Sequence, residues 1–216
     1  MTETYPLDID GVWCEVSPDC CRGAPALFLD RDGVVVEEVD YLHRVADIHV
    51  CPDAAAVISA ANANAIPVVL VTNQAGIGRG YYGWSEFLAV QQAIQAAIAT
   101  AGAHFDAVYA CPHHRDGKGG FAHPDHPARK PNPGMLQRAA AALDIDLKRS
   151  WLVGDRAIDV EAAKRAGLAG ALHVLTGYGR VERSSALALS SPHFEVRGAA
   201  SIAGALTLPV FDCAQR

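Results

Sequence analysis

Five short runs of almost unbroken hydrophobic residues recur along the chain: residues 26–30 (ALFLD), 68–73 (VVLVTN), 107–112 (AVYACP), 151–155 (WLVGD) and 171–175 (ALHVL). A strand with one face in water alternates apolar and polar positions, whereas a solid run suits a strand covered on both faces, as in a parallel sheet. The alanine-rich stretches between the runs predict helices over residues 53–64, 85–101, 133–143 and 157–166. Asp53 and Ser85 stand where N-caps are expected, Pro133 where a first-turn proline is tolerated, and Gly102 and Gly167 where helices stop. Strand and helix in alternation predict an open α/β fold: a parallel sheet wound by right-handed crossovers, with helices on both faces. Two connections, residues 31–52 and 113–132, are too long for tight turns, and long connections in a compact domain are usually functional. From Val181 onward the pattern offers one short amphipathic piece and little else.

The 216 residues are 50% hydrophobic and 19% charged, enough for a sizeable core and too apolar for a disordered chain. One domain over residues 1–216 is expected, with residues 1–24 as an N-terminal extension. A net charge of −6 and a pI near 5.8 argue against a nucleic-acid binder held by a basic face. The acidic start MTETYPLDIDG lacks a basic segment leading into an apolar run, so no secretory signal is read and a cytoplasmic location is expected. The longest uncharged stretch, residues 54–78, carries Asn62, Asn64, Pro67, Asn73 and Gln74, which excludes it as a bilayer span. Six cysteines (14, 20, 21, 51, 111 and 213) in such a chain read as reduced thiols rather than a disulfide framework. Cys14, Cys20 and Cys21 have no evident role, and the adjacent Cys20 and Cys21 read as small buried hydrophobes.

In open α/β sheets ligands collect beyond the carboxyl ends of the strands. Four of the five runs lead into polar or metal-binding groups there: Asp30 and Asp32 in FLDRDGVV; Thr72, Asn73 and Gln74; Cys111 and His113; Asp155 and Asp159 in GDRAID. If the first and fourth strands are neighbours, Asp30, Asp32 and Asp155 meet in one crevice, where like charges raise one another's pKa unless a cation neutralises them. A hard divalent ion with oxygen ligands, magnesium above all, suits such a crevice. It would also clamp phosphate oxygens while a carboxylate attacks the phosphorus. Lys130, in the proline-stiffened ARKPNPGM, supplies a fixed cation, and Arg129 beside it a planar two-pronged contact. Gly78, Gly80 and Gly83 spell the dinucleotide fingerprint. The gap between a strand ending near Asn73 and a helix starting near Ser85 is too long for the tight phosphate turn that fingerprint requires.

Taken together, FLDRDG, VTNQAGIGRG, ARKPNPGM and VGDRAID resemble, in order and over residues 26–179, the haloacid dehalogenase (HAD) superfamily of aspartate-nucleophile phosphatases. More narrowly, DRDG, TNQAGIGRG, CPHH and RKPNPGM resemble the D-glycero-D-manno-heptose 1,7-bisphosphate phosphatases, whose close sisters are the histidinol-phosphate phosphatases. The resemblance implies a HAD-type, Rossmann-like sheet without a large cap domain, and magnesium as cofactor. It implies a small phosphate ester as substrate, a sugar bisphosphate first and histidinol phosphate as the alternative. Asp30 would be the nucleophile, and Asp32 would protonate the leaving oxygen and then activate water. Magnesium would sit on Asp30, the main-chain carbonyl of Asp32, and Asp155, with Asp159 holding either its shell or Lys130. Thr72, with Gln74 beside it, and Lys130 would bind the transferring phosphoryl group, while Asn73, Arg79 and Arg129 would contact the rest of the substrate. Without a folded cap, residues 34–51 and 113–128 are left to close the pocket, with Tyr41 and His43 either touching substrate or lying on the surface.

The loop between the second and third motifs of this family often carries zinc, on Cys-x-His and a later Cys-x-Cys just before the Arg-Lys pair. Here Cys111 and His113 keep the first half, while His126 and Ala128 stand where the later cysteines would fall. Either Cys111, His113, His123 and His126 form a mixed tetrahedral structural zinc site, or the metal is lost and the histidines are solvated loop residues. A monomer without nucleic-acid or membrane partners is expected.

Overall fold

The computed structural model describes residues 4–18, 20 and 22–212. The expectation for Cys21, and the outermost parts of the N-terminal extension, lie outside the described residues. In chain order the elements are β1 (Trp13–Val16), β2 (Leu27–Leu29), α1 (Ala54–Ala63), β3 (Val68–Asn73), α2 (Ala75–Arg79), α3 (Trp84–Ala99) and β4 (Ala107–Cys111). There follow α4 (Gly134–Leu143), β5 (Trp151–Gly154), α5 (Ala157–Ala166), β6 (Gly170–His173), α6 (Gly179–Leu187), β7 (Glu195–Gly198) and α7 (Pro209–Asp212).

The strands form one seven-stranded sheet in the order β1-β4-β3-β2-β5-β6-β7, parallel throughout except for β1, which runs antiparallel along the edge of β4. Both faces are covered, which is why the strand sequences are solid rather than alternating. Leu27 and Leu29 of β2 join a cluster with Val57, Ile58, Phe87 and Ile94 from α1 and α3. Phe28, between them, joins the opposite cluster with Leu136, Ala139, Val160 and Ala163 from α4 and α5. All five predicted strands are present, each within two residues of its expected bounds.

Several local expectations are corrected. Asp53 sits at the N-cap of α1 in a left-handed conformation and makes no side-chain cap bond. α3 starts at Trp84, with Gly83 as N-cap and Glu86 reaching back to its amide, so Ser85 lies inside the first turn. Pro133 is the N-cap of α4 rather than its first residue, and Gly102 lies beyond the end of α3, whereas Gly167 does close α5. β1 and the short α2 were not anticipated, and α6, β7 and α7 were not told apart in the C-terminal part. Cys20 is half-buried rather than buried, and Cys14, Cys20, Cys51 and Cys111 carry free thiols. Among the described residues no helix is long and apolar enough to cross a membrane.

β2 lies at the centre, and chain direction across the sheet reverses there: β3 and β4 lie on one side, β5 to β7 on the other. That reversal opens a crevice at the carboxyl ends of β2 and β5, where open α/β sheets bind ligands. The register pairs Leu29 with Val153, so the residues after each strand, Asp30 and Asp155 included, emerge side by side. Neither long connection folds into a cap. The first holds a turn of 3-10 helix (Val45–Asp47), the second another (Gly119–Phe121).

Candidate active site

The crevice is a cavity of about 270 Å³ whose walls include Asp30, Asp32, Thr72, Asn73, Gln74, Arg79, Arg129, Lys130, Asp155 and Asp159. Ten positions expected from the sequence thus face one space. Of the two segments expected to close the pocket, residues 113–128 contribute His114, and residues 34–51 only their middle, residues 38–42. Val34, Val35, Val36 and Cys51, at the ends of the latter, are core residues instead. Tyr41 lines the cavity, whereas His43 stacks on Tyr82 at 5.4 Å behind the wall.

Lys130 organises the floor. It is 2% exposed, and its Nζ lies 2.8 Å from Asp30 Oδ1 and 2.7 Å from Asp159 Oδ1, and donates to the Val71 carbonyl at 2.9 Å. Asp159 is placed by its own helix: as the third residue of α5 its Oδ2 accepts the Arg156 amide at 3.0 Å. Asn73 accepts the Lys130 amide and donates to the Lys130 carbonyl, both at 3.0 Å, so its polar atoms anchor the lysine loop to the end of β3. This anchoring role stands beside the substrate contact expected of Asn73, which also lines the cavity.

Burial drives the Asp30 carboxyl well above its usual pKa; Lys130 opposes this, and Asp159 and Asp155 add to it. Asp155 is pushed up to about 7, by burial first and then by Asp159. The opposing carboxylates hold Lys130 firmly protonated in spite of its burial. Asp155 sits in a notch between two glycines. Its Oδ2 accepts the Tyr178 amide at 2.7 Å, and a Cβ on Gly33 or Gly177 would collide with that carboxylate. Its main-chain carbonyl is held by His173 Nε2 at 2.8 Å.

Asp155 Oδ1 is buried and has no hydrogen-bond partner, and one carboxylate oxygen from each of Asp30, Asp155 and Asp159 lies within 4.8 Å of the others. Within this cluster three carboxylates (Asp30, Asp155, Asp159) face one buried cation, Lys130, which leaves two negative charges. A single hard divalent cation with oxygen ligands balances that account, so the residues fit magnesium. Among side-chain oxygens the third member of the trio is Asp159; Asp32 shares the crevice, as expected, and the ligand expected of it is its main-chain carbonyl. The Asp32 carboxylate turns away to Arg31, Gln74 Nε2 (3.2 Å) and Thr72 Oγ1 (3.4 Å).

At the rim, Arg79 donates to Tyr41 Oη at 2.6 Å and pairs with Asp116 at 3.2 Å, with its Nη2 also 3.2 Å from His114 Nε2. It therefore ties the two lid connections together. Arg129 donates to the His113 carbonyl; burial lowers its pKa, as do Arg156 and Arg79 nearby. Among the described residues no carboxylate pairs with it, which leaves a guanidinium free for an anionic group. Pocket residues not singled out by sequence reasoning include Arg31, Glu38, Tyr82, Arg156 and Tyr178. Burial and then Asp32 and Asp30 push Glu38 up to about 8. Arg31 alone left a usable signal: a charge between two aspartates at the end of a wholly buried strand.

The four expected zinc ligands are brought together, but not as a tetrahedral set. The His113 and His126 rings stack in parallel with centroids 3.6 Å apart, and His126 Nδ1 lies 3.9 Å from Cys111 Sγ. A metal ion lies in the plane of each imidazole that binds it, so two stacked parallel rings do not converge on one ion. Among the described residues, the aspartate trio is the only set of three such ligand atoms within 4.8 Å. As arranged, these residues do not fit zinc. Nor are they all solvated: Cys111, His113, His126 and Ala128 are buried, while His123 is partly exposed. The glycine-rich decoy also resolves: Gly78 lies in α2, where a Cβ would strike the Pro112 carbonyl, so close packing accounts for it.

An open, mostly parallel sheet with clustered buried carboxylates, a buried lysine and a divalent-cation cradle at its switch point defines a phosphoryl-transfer hydrolase of the HAD class. A HAD-hydrolase-like family model matches residues 127–198. A heptose-1,7-bisphosphate 7-phosphatase of Mesorhizobium japonicum is 48% identical over 170 residues, 76% of this chain and 77% of its own. One from Thermosynechococcus vestitus is 42% identical over 176 residues, 79% and 89% of the two chains. Among solved structures, a HAD-like phosphatase of Mesorhizobium loti superposes with a TM-score of 0.87 at 41% identity over 99% of both chains. The D,D-heptose 1,7-bisphosphate phosphatase of B. bronchiseptica, complexed with magnesium and phosphate, gives 0.74 at 30% identity over 84% and 95%. The chain belongs to the heptose bisphosphate phosphatase family of the HAD superfamily, and it is a phosphoric monoester hydrolase.

Proposed function

We propose that the protein removes the 7-phosphate of D-glycero-D-manno-heptose 1,7-bisphosphate through an aspartyl-phosphate on Asp30. The observation that carries this is the convergence of Asp30, Lys130, Asp155 and Asp159 at the ends of two adjacent strands. The names of the relatives supply the sugar.

In this reading the Asp30 carboxylate attacks the phosphorus in line, and the leaving sugar oxygen takes a proton from Asp32. Asp32 then removes a proton from the water that hydrolyses the phospho-enzyme, one group serving as acid and as base. Lys130 and Thr72 hold the transferring phosphoryl oxygens, with Gln74 fixing Thr72 through a bond of 2.8 Å. Arg79 and Arg129 meet the far end of the substrate, where the second phosphate adds the anion that Arg129 lacks. Asp30, the Asp32 carbonyl and Asp155 would hold the magnesium ion, with Asp159 steadying Lys130. When bound, the ion neutralises the crowded carboxylates, so that Asp30 stays ionised, and draws charge from the phosphoryl oxygens.

The test is phosphate release by the purified protein with magnesium, comparing heptose 1,7-bisphosphate, fructose 1,6-bisphosphate and histidinol phosphate. The heptose ester is expected to lead in kcat/KM by at least about tenfold. Asp30→Asn should abolish turnover of all three while melting near the wild-type temperature. A lead for histidinol phosphate would overturn the substrate, and an active Asp30→Asn would overturn the nucleophile.

A further inference from the structure

Arg31 is a buried charge that the chemistry above leaves unused. Its side chain is 1% exposed, yet it stands between the two aspartates at the mouth of the pocket. Its amide donates to Asp30 Oδ1 at 2.8 Å, while its guanidinium turns to Asp32. Nε donates to both oxygens of that carboxylate, at 3.1 and 3.2 Å, and Nη2 to Oδ1 at 3.0 Å.

The two oxygens of Asp32 differ in what holds them. Oδ2 also accepts from Gln74 and Thr72, whereas every hydrogen bond to Oδ1 comes from Arg31. Gln74 is itself fixed by Tyr82, whose hydroxyl donates to Oε1 at 2.6 Å. The guanidinium lies over the Phe87 ring at 5.6 Å, and Phe87 packs edge-on against Trp13 and Trp84 in the core. A rigid planar fork is thus seated on an aromatic platform, with its orientation set by the core and its prongs set on one carboxylate. Nη1 is buried without a partner. A guanidinium kept only for packing would be expected to satisfy all its donors.

We propose that Arg31 is the positioning residue that aims the Asp32 carboxylate at the leaving-group oxygen. It acts through Asp32 and does not touch substrate. The proposal rests on the acid role given to Asp32 above. A sugar alkoxide cannot depart without a proton, whereas 4-nitrophenolate can, so a loss of aim penalises the sugar ester selectively. The ratio kcat/KM reports the steps up to departure of the leaving group, free of the later hydrolysis.

The experiment measures kcat/KM on the sugar bisphosphate and on 4-nitrophenyl phosphate for wild type, Asp32→Asn, Arg31→Met and Arg31→Lys. Asp32→Asn should lose about 100-fold or more on the sugar ester and much less on the aryl ester. Arg31→Met should show the same skew, with a loss at least about tenfold larger on the sugar ester. Arg31→Lys keeps the charge and the buried stem but offers a point donor, and should be skewed to a lesser degree. If the Arg31 variants lose equally on both esters while Asp32→Asn is skewed, the proposal is wrong and Arg31 is only a structural counter-charge. An unskewed Asp32→Asn overturns the acid role of Asp32, and this proposal with it. Should Arg31→Met fail to fold by circular dichroism, the skew of Arg31→Lys decides.

Discussion

Replacing Lys130 by Met probes the electrostatic floor of the site most directly. The ammonium donates to the Val71 carbonyl at 2.9 Å and sits against Asp30 and Asp159 at 2.8 and 2.7 Å, so its charge is matched wholly inside the protein. Met nearly matches the volume of the stem, so cavity formation contributes little. What remains is two buried carboxylates stripped of their cation. Removing one partner of a buried ion pair costs roughly 3–5 kcal/mol. At about 2–4 °C per kcal/mol for a chain of this size, Lys130→Met should melt roughly 6–20 °C lower.

The loss has a pH signature. Burial already holds Asp30 above its unfolded pKa, and without Lys130 it must rise further. A carboxyl raised on folding stabilises below its unfolded pKa and loses that contribution as pH climbs through the folded value. Urea unfolding in magnesium-free buffer should therefore show the deficit largest at pH 8 and shrinking toward pH 5. Adding Asp159→Asn, which removes one stranded charge, should recover part of it. A deficit below about 1 kcal/mol at every pH, or a double variant weaker than the single one, would refute the reasoning.

Two further outcomes follow from local geometry. Gly177 has φ +53° and no room for a Cβ beside Asp155 Oδ2, so Gly177→Ala should raise the magnesium concentration for half-maximal activity by at least about tenfold. Gly102→Ala, with φ +71° but open space around it, should share the backbone strain and leave the magnesium requirement unchanged; equal effects would show that strain, not the notch, is responsible. Burial lowers the pKa of both stacked imidazoles, that of His126 to about 4 with His113 adding to the effect. The folded pKa of His126 lies below the unfolded value near 6.5, so its contribution is present above that pH and lost as pH falls toward 4. In chelator-treated protein the wild type should lose melting temperature over that window faster than His126→Asn; parallel curves would mean the stack is not the acid-sensitive element.

The sheet was legible because burial on both faces leaves a compositional mark. Leu27, Phe28 and Leu29 must all be apolar when α1 and α3 lie on one side and α4 and α5 on the other. β7 left no such mark. Its residues Glu195 to Gly198 sit half-exposed at an edge, and Arg197 covers Trp151 with its guanidinium. β1 was hidden for a related reason, since an edge strand paired to one neighbour needs only Trp13 fully buried. Asp53 is the N-cap expected of it, whereas the start of α3 slipped because Ser85 is a good cap in isolation while Gly83 and Glu86 supply the bonds there.

The active-site carboxylates were legible for a different reason: nothing in folding calls for Asp30 and Asp155 just past the ends of apolar strands. Their partnerships were not, because a charge's partner is a fact of three-dimensional neighbourhood. Asp32 and Asp159 appear equivalent in the sequence, each two or four residues past a strand-end aspartate. The chain puts Asp159 on the first turn of α5, facing Lys130, and gives Asp32 to the guanidinium beside it. That division separates the two kinds of carboxylate the proposed reaction needs. One group is crowded around a lysine and balanced only when a divalent cation arrives. The other is held apart by an arginine of its own, with its charge already matched, so it stays out of the metal cradle and can exchange protons with a leaving group and a water.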